Sequence, residues 1–167
     1  MNFASRTAIR GLSAVAVVTV ALAATGPAHA HADNSRLNKS VRQMVSIVQY
    51  KAGCPGHVKA SPQLESAAQR HSLDVLNSRW LDGDIGSDGS TPRDRAAAAG
   101  YRGNVEETVA INPALAISSL ELIKQWHADP RKLATMQNCA NTEIGVWSEN
   151  SLDRTVVVAV YGQPEAK

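Results

Sequence analysis

Gly86-Ser87-Asp88-Gly89-Ser90-Thr91-Pro92-Arg93-Asp94-Arg95-Ala96-Ala97-Ala98-Ala99-Gly100-Tyr101 passes from a polar loop straight into a helix. Ser87, Asp88 and Ser90 are turn residues whose short side chains bond nearby backbone. Thr91 reads as a helix N-cap. Pro92 suits the first helical position, where the N–H it lacks would be unpaired anyway, and Asp94, three residues after Thr91, approximates a capping box. The loop that feeds this helix, Asp82 to Ser90, is too short for a linker between domains and long enough to carry function.

The same device, a capping side chain followed by proline, recurs on both sides. It predicts further helix starts at Ser61-Pro62, Asn112-Pro113 and Asp129-Pro130. An earlier helix over Arg36 to Tyr50 places Leu37, Val41, Met44, Val45 and Val48 on one stripe. The helix after Pro62 groups Leu64, Ala67, Ala68, His71 and Val75, and the one after Pro113 groups Leu115, Ser119, Leu122 and Trp126. His71 is therefore expected as a hydrogen-bonded core residue, and Trp80, Trp126 and Trp147 as packing residues. Asn104 to Ala110, Thr142 to Trp147 and Arg154 to Tyr161 read as strands, the last two separated by a polar loop over Ser148 to Asp153. Helices first and strands late, with short connections, argue for an α+β domain layered α/β/α rather than a doubly wound parallel sheet.

Residues 1–30 read as a secretory signal peptide. Arg6 and Arg10 form the basic region, Gly11 to Ala24 the apolar one, and Ala28-His29-Ala30 the cleavage signal. The apolar run is short for a bilayer crossing, which takes about 20 residues, so no transmembrane segment is expected in the mature chain, residues 31–167. The leader holds two of the seventeen Lys and Arg and none of the fifteen Asp and Glu, so the remainder is balanced. That balance gives no footprint for nucleic acid. An exported chain meets an oxidising compartment, where its two cysteines, Cys54 and Cys139, are expected to pair.

The opening stretch resembles the G-S-D-G-S-T-P-x-D-R-x-x-A-A-G-Y segment of bacterial CAP-superfamily (SCP-like extracellular) domains. Thr142-Glu143-Ile144-Gly145-Val146 resembles that family's T-E-I-G-V strand, and the likeness spans about Leu37 to Gly162. It implies a three-layer α/β/α sandwich with one disulfide and a shallow cleft lined by two histidines and two acids, a set that in many members binds zinc or another divalent ion. Asp84 stands where the first histidine is usual and Lys132 where the second is. Glu107 matches the glutamate, and Asp129 takes the place of the second acid. His127, next to Trp126, is grouped with these four as a cleft residue.

A protonated lysine has no lone pair to donate and repels a divalent cation. The resemblance therefore implies a degenerate metal site without cofactor or catalytic residue, in which the Lys132 ammonium is expected to be held by Asp84 and Glu107. The expected function is a secreted, non-catalytic binding module outside the cell or at its envelope. Its partner is a lipid, another small apolar ligand or a protein. The alternative is a metal-dependent hydrolase using the carboxylates of Asp84, Glu107 and Asp129. A Ser-His-Asp triad lacks its G-x-S-x-G elbow, and no phosphate-binding glycine loop is present.

Overall fold

The computed structural model describes residues 28–165. The expected signal peptide lies outside them up to residue 27. The first helix, α1, spans Ala28–Lys51. Val41 and Val45 are fully buried, and Leu37, Met44 and Val48 pack beside them as the stripe requires. Then follow β1 (Lys59–Ala60), α2 (Pro62–Asn77), α3 (Pro92–Ala98), β2 (Gly103–Asn112), α4 (Ser119–Ala128), α5 (Pro130–Gln137), β3 (Glu143–Ser151) and β4 (Arg154–Pro164). The four strands form one sheet in the order β1-β3-β4-β2. β4 is antiparallel to both neighbours, and β1 runs parallel to β3.

β4 shows why the layers form. Every residue from Arg154 to Gly162 is buried, so its run of valines does not alternate with polar residues as a half-solvated strand would. Val156, Val158 and Val160 pack with α2 and α3, while Val157, Ala159 and Tyr161 pack with α1, α4 and α5. The architecture is the expected α/β/α sandwich. Cys54 and Cys139 are joined across 85 residues, tying the end of α1 to the turn after α5. By restricting the unfolded chain, such a link contributes about 2–4 kcal/mol.

Three helix starts stand where the capping residues placed them. Thr91 and Asp94 form a full capping box, Asp129 caps α5 through the N–H groups of Arg131 and Lys132, and Ser61 precedes Pro62 without a side-chain cap bond. The fourth does not. Asn112 is the last residue of β2, paired with Thr155, and its amide donates to the Ala116 carbonyl to turn the chain. The helix begins only at Ser119, capped by Ser118. A residue before proline is biased toward extended backbone, and here the ladder to β4 uses that bias. Leu115 is consequently exposed instead of lying on a buried helix face.

The loop expected over Ser148 to Asp153 contracts to Leu152-Asp153. Ser148 lies within β3, buried, with its hydroxyl donating to Asn38 Oδ1, so a polar residue is satisfied in a strand. Among the tryptophans, Trp126 is fully buried and Trp147 partly so, but Trp80 is 72% exposed and is not a core residue. Among the described residues no helix is long and apolar enough to cross a membrane.

Candidate functional site

The site is built around Glu107, on the face of β2 that meets α2 and α3. The capping box starts α3 at Pro92, and the first turn of that helix carries Arg95 inward. The side chains of Arg95 and Glu107 are sealed from solvent, and Arg95 Nη2 donates to both carboxylate oxygens at 3.0 and 3.1 Å. The guanidinium also donates to the carbonyls of Asp84 and Ser90, each at 2.7 Å, which moors the loop before α3. From α2, His71 Nε2 donates to the Gly83 carbonyl at 3.0 Å and lies 3.4 Å from Glu107 Oε1. The carbonyl can only accept, so Nε2 carries the proton and Nδ1 is a bare, buried acceptor without a hydrogen-bond partner.

Beside this cluster lies a hollow of about 460 Å³. Its lining includes Asp82, Asp84, Glu107, Asp129 and Lys132, so four of the five expected cleft residues surround one space. His127 does not join them. It belongs to a different hollow, with Met44 and Leu120, because it follows the buried Trp126 and neighbouring helical residues point in different directions.

The ion pairs also differ from expectation. Lys132 Nζ donates to the Val109 carbonyl at 2.9 Å, and among the described residues it forms no salt bridge with Asp84 or Glu107. That carbonyl lies on the open edge of β2, where it also accepts from Trp126 Nε1. Lysine thus gives a carbonyl outside the ladder its second donor, while Arg95 is the cation beside Glu107. The sequence contained the Asp94-Arg95 pair, but a charged residue after a helix cap ordinarily faces water, and nothing local marks it as buried.

The donor set does not fit a divalent cation. Both Glu107 oxygens are taken by Arg95, the Asp129 carboxylate caps α5, the His71 nitrogen nearest Glu107 bears a proton, and Lys132 adds positive charge. Among the described residues no group of three or more His, Cys, Asp or Glu is placed to hold a metal ion.

Burial pushes the Glu107 carboxyl up to about 8 against the pull of Arg95, with the nearby Asp84 charge adding to the rise. Burial also holds His71 below its ordinary value, which favours the neutral imidazole. These shifts set a pH dependence. Between its unfolded value near 4.3 and about 8, Glu107 binds more protons folded than unfolded, so its contribution is complete at low pH and is lost as pH rises. His71 acts oppositely: its contribution is lost as pH falls below about 6.5. Thermal unfolding is expected to show a rising Tm as pH falls from 8 to about 6.5, levelling or reversing below it. In Glu107→Gln the upper limb is expected to vanish. An unchanged upper limb in that variant would show that another group titrates there.

The sequence model described as the cysteine-rich secretory protein family, CAP, matches residues 33–161. No curated protein matches the chain. Among solved structures, an outer surface protein from Borrelia burgdorferi is 17% identical with a TM-score of 0.69, over 80% of this chain and 96% of that one. An extracellular protein containing an SCP domain, from Bacillus anthracis, is 14% identical with a TM-score of 0.66. The match covers 78% of this chain and only 41% of that one. NaASP2, solved with Zn2+, is 10% identical with a TM-score of 0.56, over 77% of this chain and 80% of that one. At these identities the likeness concerns the fold.

Proposed function

Because the chain belongs to the cysteine-rich secretory protein (CAP) family, we propose that it is an exported, non-catalytic interaction domain whose cleft is neutralised by its own side chains instead of a metal ion. The carrying observation is the Arg95 guanidinium seated on both oxygens of Glu107, with both side chains sealed from solvent. A carboxyl group whose two oxygens both accept from a buried guanidinium has little to offer a metal, a nucleophile or a substrate. The signal-peptide reading of residues 1–30 supports export, as do two structural neighbours that are an outer surface protein and an extracellular protein. The hydrolase alternative would draw Asp84, Glu107 and Asp129 around an ion. Two of these three carboxylates are already committed, one to Arg95 and one to the α5 cap.

Calorimetric titration of zinc tests the proposal, using protein recovered from the host's medium with its N-terminus checked for a start at His31. No stoichiometric binding is expected. Asp84→His combined with Lys132→His puts two imidazoles on the walls of the same hollow and is expected to bind zinc only when Arg95→Met also frees Glu107 as a third ligand. One-to-one binding by the native protein, lost in Asp84→Ala, would overturn the proposal.

A further inference from the structure

At the opposite edge of the sheet from Glu107, β3 is only partly covered. β1 pairs with Glu143 and Ile144 alone, and after Ser61 the chain leaves the sheet to start α2. Lys59 N–H donates to the Thr142 carbonyl and Ser61 N–H to the Ile144 carbonyl, so the even-numbered residues of β3 turn their backbone groups outward. By the alternation of a strand, Val146 and Ser148 face the same edge beyond the end of β1. The Ser148 carbonyl accepts from Asn34 Nδ2, as that placement requires. By the same alternation the N–H and C=O of Val146 point away from β4, and outside the ladder neither bonds another described residue. Backbone N–H and C=O are strong hydrogen-bonding groups, so this gap in the ladder offers an extended chain a donor and an acceptor.

A groove of about 420 Å³ opens on these groups, between the first half of α1 and the start of α2. Lys39 and Arg42 of α1 line it with Asn38, and Glu65 is the one acid in its lining. Neither cation forms an ion pair among the described residues. The groove thus presents outward backbone groups beside unneutralised positive charge.

We propose that this groove docks an extended acidic peptide segment, which adds a strand to the outer edge of β3 in line with β1, its carboxylates meeting Lys39 and Arg42. Main-chain bonds to Val146 supply affinity, and the basic side chains select for acidic sequence. The proposal does not depend on the cleft being free of metal, because the two sites lie on opposite edges of the sheet.

The probe is a fluorescein-labelled hexapeptide of alternating valine and glutamate, blocked at both ends, titrated with the mature protein and followed by anisotropy. Saturable binding is expected, with about tenfold weakening in Lys39→Glu/Arg42→Glu. Loss of binding is expected when the glutamates are replaced by lysine, and again when every peptide nitrogen of the probe is methylated. Val146→Pro removes the outward N–H while sparing the β3–β4 ladder, whose bonds leave the other side of the strand, and is also expected to abolish binding. Circular dichroism verifies that it folds; the methylated probe and the charge reversal carry the test if it does not. No saturable binding up to about 1 mM protein would overturn the proposal. Binding indifferent to methylation, or to the reversed charges, would do so equally.

Discussion

Above about pH 8, where Glu107 is ionised, Arg95→Ala is expected to destabilise the domain by about 3–5 kcal/mol, because it leaves that carboxylate in a sealed site without its cation. Two further losses come with it: the carbonyls of Asp84 and Ser90 lose their donor, and the loop before α3 loses its mooring. Denaturant unfolding at several pH values measures the effect. Glu107 escapes part of the penalty by binding a proton, so the cost should be greater at pH 9 than at pH 5. Substituting both partners, Arg95→Met with Glu107→Leu, removes the buried charges together and should restore much of the lost stability. Additive losses in the double variant, or a single-variant cost below about 1 kcal/mol, would mean that the pair is not the structural centre of the cleft.

Gly145→Ala is expected to cost about 3 kcal/mol or more, and to lower the yield of folded protein, for a steric reason. A Cβ on Gly145 would overlap the backbone of Leu64 and Glu65, where the first turn of α2 rests directly on β3. Backbone cannot swing aside as a flexible side chain can, so α2 would have to lift from the sheet. Leu64, Ala67 and Ala68, all at or near complete burial, would then lose their contact with Val158 and Val160. A Tm within a few degrees of native would show that the helix can shift without loss, since 1 kcal/mol corresponds to roughly 2–8 °C in domains of about this size.

Much of the fold was readable along the chain because its signals are local. Thr91-Pro92 and Asp129-Pro130 announce helix starts through their own capping bonds, and the β-branched run after Arg154 announces a strand, whose burial on both faces only the packed layers decide. Asn112-Pro113 misled, since the same dipeptide ends a strand whenever a partner such as Thr155 holds the backbone extended. β1 is two residues long and carries no periodicity; only the neighbouring edge of β3 makes it a strand. Trp80 shows the limit of hydrophobicity as a guide, because an aromatic residue in a loop is buried only if some other layer reaches it.

For the site, sequence by itself determined composition: an acid at 84, an acid at 107, a lysine at 132 and no pair of histidines to complete a metal set. The family register pointed to Asp84, Glu107, Asp129 and Lys132, which line one hollow, and to His127, which lines another. Tertiary structure alone decided which charges pair. Arg95 reaches Glu107 because α3 packs against β2, and Lys132 finds the Val109 carbonyl because β2 is an edge strand that leaves this carbonyl outside the ladder. Partner choice among buried charges depends on distances of a few ångströms between residues far apart in the chain, and local pattern holds no record of them.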